Sequence, residues 1–296
     1  MKRNLPNLLI VGAAKSGTTS LHNYLNEHPD IHMCSPKEPH FLINKEIGVD
    51  RISNGIKSLK DYESLFLQSE QCKYIGESSV MYLMYPEIVI PKIKKMLGLN
   101  TRIIIMLRNP VERAYSGFNH VKRYNNKEDK SFEIAWQISE ERYFNDPKMT
   151  PASRYKKLGM YYNQVKSFLD ELTNVHVIIY DDYTEDFHGE MKKLFSFLNV
   201  HYIEIDNSMR HMVGGWQWRN NKIKSLMMGN NFIKKILKLF LPKYLRRIIR
   251  EIIQDINTSP VSKINLETEI MLKDFYKDDV NKLSKLLNRD LNFWTR

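Results

Sequence analysis

The sequence predicts one three-layer α/β domain over residues 1–296, with a central parallel sheet flanked by helices and a helical C-terminal part. Short apolar runs alternate with helical segments along the first two thirds, as in parallel sheets covered on both faces. The first run ends in a glycine-rich loop that leads into a helix. The last third shows mainly helical periodicity. A chain of 296 residues with 42% hydrophobic residues can bury a full core without disulfides or metals.

Four apolar runs are the predicted strands, at residues 8–11, 73–77, 102–107 and 175–179. Helices are predicted over residues 18–27, from Pro86, after Pro110 and over residues 185–198, since proline is favoured in a first helical turn. The polar stretch 125–152 is predicted to be an inserted helical segment. Apolar residues between 233 and 253 fall on the faces of two amphipathic helices separated by Pro242.

Charge is distributed unevenly along the chain, which carries a formal net charge of +11. Residues 219–250 contain ten Lys and Arg and no Asp or Glu, so this stretch alone carries +10. An anionic partner is therefore expected, but we do not predict that this partner is nucleic acid. Only Cys34 and Cys72 are present, which suits a reducing, cytoplasmic compartment. Residues 1–14 resemble a signal peptide, but Pro6 interrupts the apolar run and Lys15 ends it, so we expect a strand there.

A glycine-rich loop, GAAKSGTT at residues 12–19, lies between the first predicted strand and helix. Its glycines allow a tight turn, and the free N–H groups of the following helix favour a phosphate. Hydroxyl donors and one lysine add to this anion site: Lys15, Ser16, Thr18 and Thr19. The loop is P-loop-like, but Thr18 stands where nucleoside-triphosphate loops carry lysine. The lysine lies three positions earlier.

This loop resembles the 5′-phosphosulfate loop, K-[ST]-G-T-[TS], of sulfotransferases that use PAPS (3′-phosphoadenosine 5′-phosphosulfate). The resemblance implies that Lys15 contacts the bridging oxygen and the 5′-phosphosulfate, and has a catalytic role. It also implies that residues 16–19, which include Gly17, form the phosphate cradle. PAPS would be the co-substrate and PAP the product, with no metal required because PAPS has no β- and γ-phosphates.

A second motif, RNPVERAYS at residues 108–116, begins where the clearest predicted strand ends. Ligands of open α/β sheets bind beyond the carboxyl ends of strands, and arginine offers a forked donor set for phosphate. In the family that the first loop resembles, R-[ND]-P with a serine eight residues after the arginine holds the 3′-phosphate. Arg108 and Ser116 match that spacing. The alternative is that Arg108 forms a structural ion pair with Glu112.

A candidate general base lies in SPKEPHFL at residues 35–42. This segment resembles K-E-x-x-F-F of heparan-modifying and bacterial carbohydrate sulfotransferases, in which the glutamate is the base. The resemblance implies this role for Glu38, a carbohydrate or glycolipid acceptor, and a bacterial source. A positioned carboxylate contributes roughly 10²–10⁴-fold to such a transfer. His40 is the rival base and a candidate acceptor contact, and Leu42 departs from the family's second phenylalanine.

Two further segments resemble the same family. GESSVMY at residues 76–82 resembles G-E-x-[ST]-P-x-Y, which implies that Ser79 and Tyr82 lie near the acceptor, although Val80 replaces the proline. GGWQWR at residues 214–219 resembles a late glycine-basic loop. That likeness implies nucleotide contacts from Gly215, Trp216 and Arg219.

Two other functions fit parts of the sequence. A nucleotide kinase would use Tyr180-Asp181-Asp182 as its magnesium-binding acids, but the displaced loop lysine and the Arg108–Ser116 pair argue against it. A non-enzymatic anion or membrane-surface binder would use the basic residues 219–250 on amphipathic helices. In the simpler interpretation those helices cover the sheet and solvate their basic faces.

Overall fold

Five parallel strands form the central sheet, in the spatial order β2-β3-β1-β4-β5. Their bounds are β1 (Leu8–Gly12), β2 (Ile31–Met33), β3 (Tyr74–Ser78), β4 (Arg102–Leu107) and β5 (Val175–Ile179). The four predicted strands are confirmed. The three residues of β2 were not predicted, because so short a strand shows no apolar periodicity. A second sheet pairs β6 (Trp216–Trp218) with β7 (Thr258–Pro260) in antiparallel orientation.

The computed structural model describes residues 4–52, 54–67, 71–125, 128–207, 215–220, 223–225, 242, 244–245, 252–253 and 256–296. Its longer helices are α1 (Thr18–Asn26), α2 (Phe41–Ile47), α3 (Leu59–Ser64), α4 (Pro86–Lys92), α5 (Pro110–Tyr124), α6 (Phe132–Gln137), α7 (Ser139–Asn145), α8 (Tyr161–Glu171), α9 (Tyr180–Glu185), α10 (Phe187–Leu198) and α11 (Leu266–Leu286). Single turns of 3-10 helix occur at Tyr82–Met84, Pro151–Ser153, Lys157–Gly159 and Asn292–Trp294, and a π-helical turn follows α4 at Ile93–Leu97.

Most predicted helices are present, including those that begin at Pro86 and Pro110. The helix predicted over residues 185–198 is observed as α10, which begins after Asp186. The Asp186 side chain caps this helix by accepting a hydrogen bond from the Gly189 N–H at 2.9 Å. The amphipathic helix faces predicted between 233 and 253 lie almost entirely outside the described residues. Of the described helices, none is both long and apolar enough to cross a bilayer.

The central strands bury side chains on both faces. In β1, Leu9 and Val11 belong to one buried cluster, whereas Leu8 and Ile10 belong to another. This alternation follows from the two-residue repeat of a strand. The first cluster packs against α4, α5, α8 and α11, and the second against α1 and α10. The result is the predicted three-layer arrangement, with helices covering both faces of a parallel sheet.

Strand order determines where a ligand can bind. From β1, in the middle of the sheet, the chain moves to one side for β2 and β3, and then crosses to the other side for β4 and β5. Leu9 of β1 lies opposite Ile103 of β4 in the parallel register, so both strands end at the same edge. A crevice beyond the carboxyl ends of the strands, where the order reverses, is the usual ligand site of such sheets.

The C-terminal turn is tied to this edge of the sheet. Trp294 is fully buried, and its indole N–H donates a hydrogen bond to Oδ2 of Asp181 at 3.0 Å. The Trp294 carbonyl accepts a hydrogen bond from the Asn109 side chain at 3.3 Å. The turn therefore supports the segments that follow β4 and β5.

We expect Trp294→Ala to lower the free energy of unfolding by about 3–5 kcal/mol, because it removes a large buried side chain and leaves a cavity. The neighbouring Phe293 is 41% exposed, so Phe293→Ala is the matched control and should lower it by less than about 1 kcal/mol. Urea unfolding monitored by circular dichroism measures both variants. Equal losses would show that the buried indole does not anchor this turn.

Candidate active site

A cleft of about 2020 Å³ lies beyond the carboxyl ends of β1, β3, β4 and β5. It is lined by the segments that directly follow these strands and by one face of α5. The cleft brings together most of the residues singled out from the sequence: Lys15, Gly17, Thr18, Thr19, Glu38, His40, Arg108, Ser116 and Gly215.

The glycine-rich loop turns from β1 into α1 around Gly17. This residue adopts a left-handed backbone with φ of +90°, and an added Cβ would lie 3.0 Å from the ring of Tyr180 and 3.1 Å from Met106. Only glycine satisfies both conditions. No described side chain caps the first turn of α1, so its N–H groups are available to an anion. Ser16, which the sequence predicted to be part of the cradle, is fully buried and is not among the described residues that line the cleft.

The Lys15 ammonium is the central charge of the loop. Burial, first, and then the positive charges of Arg123, Arg108 and Lys37 lower the pKa of Lys15 to about 8. The neighbouring charges that shift this pKa most are therefore all positive. Lys15 remains mainly protonated at neutral pH, and a bound anion would compensate its charge.

Arg108 follows β4 and faces the same cleft. Its Nε and Nη2 atoms donate hydrogen bonds to Oε2 of Glu112 at 3.0 and 2.6 Å, and its guanidinium lies 5.0 Å from the Tyr180 ring centroid. The ion pair with Glu112, considered as the alternative to ligand binding, is thus present. Glu112 is 56% exposed, and exposed pairs at this spacing contribute only about 0.3–0.5 kcal/mol. Such a pair leaves Arg108 available to a phosphate.

One face of α5 contributes a row of polar side chains to the cleft. Ser116, His120 and Arg123 are separated by four and three residues, so they lie along one side of the helix. Burial, first, and then the cations Lys15 and Arg123 lower the pKa of His120 to about 4, so this imidazole is neutral at pH 7. The sequence interpretation included Ser116 but missed the other two, although their spacing was visible.

Glu38 enters the cleft from the segment before α2. Its carboxylate pairs with the Lys37 ammonium, accepts a hydrogen bond from the Val80 N–H at 3.0 Å, and lies 3.2 Å from Nε2 of His40. Burial alone would raise the pKa of Glu38, but the Lys37 charge, His40 and the hydrogen bonds outweigh it and lower this pKa from its ordinary value. Glu38 is therefore ionised at neutral pH and can accept a proton.

His40 is neutral at this position. Burial lowers the pKa of His40 despite the opposing effect of Glu38. With Nε2 beside the Glu38 carboxylate and the ring against the Tyr82 ring, His40 is suited to orient Glu38. Both candidate bases, Glu38 and His40, line the cleft as neighbours.

Ser79 and Tyr82, which the family resemblance placed near the acceptor, are fully buried beneath the cleft. Their hydroxyls donate hydrogen bonds to the buried carboxylate of Glu77, at 2.6 and 2.9 Å. Val80 and Met81 line the cleft in their place. Burial raises the pKa of Glu77 to about 7, against the lowering effect of its hydroxyl donors. The sequence pattern included Glu77 in the GESSVMY motif but predicted no role for it.

The late glycine-basic loop contributes Gly215 to the cleft, whereas Trp216 and Arg219 are not among the described lining residues. The Trp216 indole lies 4.1 Å from the Arg123 guanidinium, and its carbonyl accepts a hydrogen bond from Arg123 at 2.6 Å. Trp216 therefore holds the Arg123 side chain through a ring contact and a hydrogen bond. Arg219 is exposed, with its N–H bound to the Asn257 carbonyl at 2.8 Å. Most of the basic stretch 219–250 lies outside the described residues.

The acidic pair proposed for a kinase is occupied by structural contacts. Asp181 accepts the hydrogen bond from the Trp294 indole, and Asp182 pairs with Arg289 at 2.7 Å. Neither acid lines the cleft, although the preceding Tyr180 does. This arrangement leaves the kinase interpretation without its magnesium ligands.

One group of described side chains has the spacing of a metal site, formed by His28, Asp30 and His201. It does not line the cleft. His28 uses both ring nitrogens in hydrogen bonds, to the His201 carbonyl at 2.9 Å and from the Asp30 N–H at 3.0 Å. A neutral histidine in this state has no nitrogen left for a metal.

Comparisons with known proteins agree with this geometry. Residues 5–235 match a family model described as the sulfotransferase domain. Over 163 residues, 43% of this chain and 29% of the relative, the sequence is 29% identical to human carbohydrate sulfotransferase 15. Over 120 residues, 40% of this chain and 13% of the relative, it is 34% identical to bifunctional heparan sulfate N-deacetylase/N-sulfotransferase 1 of Caenorhabditis elegans. The chain spans less than a third of the length of these curated relatives.

A solved structure extends the likeness to nearly the whole chain. The crystal structure of a sulfotransferase from Alicyclobacillus acidocaldarius matches with a TM-score of 0.75 and 27% identity, covering 98% of this chain and 99% of that one. The family model covers more than three quarters of the sequence and includes both phosphate motifs and the Glu38 segment. The chain therefore belongs to the sulfotransferase domain family.

Proposed function

We propose that the protein transfers a sulfuryl group from PAPS to a hydroxyl or amine of a carbohydrate-type acceptor, with Glu38 as the base. The observation that carries the proposal is the shared cleft in which Lys15, Arg108 and Arg123 gather around the ends of β1 and β4. PAPS presents anionic groups at both its 5′ and 3′ positions. A cleft with several cations beside a free helix N-terminus suits such a ligand.

The two phosphate motifs are assigned to the two ends of the nucleotide. The N–H groups from Ser16 to Thr19 bind the 5′-phosphosulfate, with Lys15 at its bridging oxygen. Arg108 and Ser116 bind the 3′-phosphate. Arg108 leaves its ion pair with Glu112 to make this contact. These assignments follow the family motifs, and the common cleft supports them.

The transfer is an in-line displacement at sulfur. An acceptor oxygen or nitrogen forms the new bond to sulfur, while the bond between sulfur and the 5′-phosphate oxygen breaks. That oxygen keeps the electron pair and leaves on PAP, where Lys15 and the loop N–H groups stabilise its charge. Glu38 takes the acceptor proton, so the carboxylate becomes a carboxylic acid. His40 and the Val80 N–H hold the carboxylate during this step.

A carbohydrate acceptor is supported by the names of the relatives and by the cleft wall. Polar side chains that the nucleotide motifs do not use also line the cleft: Asp50, Asn54, Asn119 and Lys148. Such groups hydrogen-bond the hydroxyls of a sugar, and the cleft is large enough to admit both a nucleotide and a saccharide.

PAP binding should depend on pH through Lys15. Affinity should be constant up to about pH 7.5 and fall by about tenfold per pH unit above about pH 8, because free Lys15 must take up a proton before it can pair with the anion. Isothermal titration calorimetry from pH 6.5 to 9.5 measures this slope. Lys15→Ala should bind PAP weakly and without the slope. A flat wild-type curve up to pH 9.5 would remove Lys15 from the nucleotide site.

Recognition of the 3′-phosphate should depend on Arg108. We expect Arg108→Ala to reduce the preference for PAP over AMP by about 10-fold or more, since hydrogen bonds to charged groups contribute about 1.5–3 kcal/mol. Arg102 lies at the opposite end of the same strand and bonds Asn174, so Arg102→Ala is the control and should keep the preference. Competition binding with both nucleotides gives the ratio. An unchanged ratio in Arg108→Ala would assign the 3′-phosphate elsewhere.

The base assignment is tested by Glu38→Gln, which keeps the side-chain shape but has a far weaker proton acceptor. Transfer from PAPS to a panel of saccharides, followed by mass spectrometry for the added sulfate, should fall by about 10²–10⁴-fold while PAP affinity stays within twofold. Glu46→Gln, at an exposed residue of α2 paired with Lys92, is the control. Full activity of Glu38→Gln would refute the base. Sulfation of none of the saccharides by the wild type would refute the acceptor class.

A further inference from the structure

A fully buried carboxylate lies directly under the segment that carries the proposed base. Glu77, near the end of β3, has no exposed surface. Its Oε1 accepts hydrogen bonds from the hydroxyls of Tyr62 at 2.6 Å and Tyr82 at 2.9 Å, and its Oε2 accepts one from the Ser79 hydroxyl at 2.6 Å. The three hydrogen bonds offset the cost of burying this carboxylate, and a fully satisfied buried network of this kind makes the surrounding structure rigid.

Two of these hydroxyls also accept hydrogen bonds from backbone N–H groups near Glu38. The Ser79 oxygen accepts a hydrogen bond from the His40 N–H at 3.0 Å, and the Tyr82 oxygen accepts one from the Leu42 N–H at 3.1 Å. A hydroxyl has one proton to donate. Because Glu77 takes that proton in both cases, the oxygen lone pairs remain free for the two backbone amides.

The backbone conformation that these hydrogen bonds hold is energetically unfavourable. Glu38 and His40 both have left-handed backbones, with φ of +67° and +51°, which is uncommon for residues with side chains. The Glu38 N–H is held by the Ser78 carbonyl at 3.0 Å, and its carboxylate by the Val80 N–H. The segment after β3 therefore fixes this conformation at several consecutive positions.

We propose that Glu77 is a positioning residue for sulfuryl transfer, acting through the hydroxyls of Ser79 and Tyr82 to place Glu38 and His40 in the cleft. This inference rests on the proposed function. Glu77 touches neither nucleotide nor acceptor, since it is enclosed beneath Val80 and Met81, which line the cleft. Its loss should lower kcat without weakening nucleotide binding, because the phosphate motifs lie after β1 and β4.

The hydroxyl of Ser79 can be tested with two variants of equal shape. Ser79→Thr keeps the hydroxyl and Ser79→Val replaces it with a methyl group, so any crowding of the buried site affects both alike. We expect kcat of Ser79→Val to be at least tenfold below that of Ser79→Thr, with PAP affinity and the KM for PAPS equal within twofold. Because a displacement of about 1 Å can cost about 10²-fold in rate, the largest decrease in kcat that we expect is about 10²-fold. Equal kcat values for the two variants would overturn the proposal.

The carboxylate is tested with Glu77→Gln, whose amide nitrogen cannot accept a hydrogen bond, so one hydroxyl must turn away. Tyr62→Phe is the matched control. It removes the Tyr62 hydroxyl, which also donates to the Glu77 carboxylate but contacts neither His40 nor Leu42. Glu77→Gln should lower kcat at least fivefold more than Tyr62→Phe. Amide hydrogen exchange of the peptide containing residues 38–42 should be faster in Glu77→Gln than in Tyr62→Phe.

The exchange measurement separates this inference from the proposed function. If the wild type transfers no sulfuryl group from PAPS, the proposed function fails, and exchange alone then decides whether Glu77 holds the segment. If exchange over residues 38–42 is the same in Glu77→Gln and Tyr62→Phe, the positioning role is refuted whatever the activity. Equal losses of kcat in these two variants would likewise refute it.

Discussion

The burial of the Lys15 ammonium among other cations is the constraint on which the site depends. The parallel register of β1 and β4 brings the segments after both strands to one edge, so Lys15 and Arg108 must lie in the same cleft. Burial and like charges each disfavour a protonated lysine, which is why its pKa falls to about 8. The apolar clusters on both faces of the sheet make this arrangement tolerable, because they stabilise the strands independently of the charges. The remaining electrostatic cost is relieved when an anion binds.

The sequence allowed the local elements of this arrangement to be predicted, because each is encoded within a few residues. A buried strand, the loop glycine with positive φ and a proline-started helix all leave short patterns, and Gly17 and Pro110 are observed as expected. The shared location of Lys15 and Arg108 also followed, since the carboxyl ends of parallel strands meet at one edge. The family resemblance supplied the proposed nucleotide and the proposed role of Glu38, which no pattern of charges could give.

The contributions that were missed depend on long-range packing. Arg123 lies on the same face of α5 as Ser116, a spacing visible in the sequence, but its contact with the Trp216 indole joins residues that are far apart in sequence. Trp216, predicted to contact the nucleotide, packs instead against the Arg123 guanidinium. Ser79 and Tyr82 were placed near the acceptor by the family resemblance alone. Both are fully buried and accept hydrogen bonds from the N–H groups of His40 and Leu42, about 40 residues earlier in the sequence, and nothing in the motif itself indicates this burial.

Strand order also places the two halves of the proposed chemistry on opposite sides of β1. The carboxylates Glu38 and Glu77 are held by the segment after β3, whereas Arg108, Ser116 and Arg123 follow β4, and the Lys15 loop after β1 lies between these two sides. In-line transfer needs a proton acceptor on one side of the sulfur and stabilisation of the leaving phosphate on the other. In the proposed function, the order β3-β1-β4 puts the base on one side of Lys15 and the nucleotide cations on the other, so the acceptor and the nucleotide would meet at Lys15.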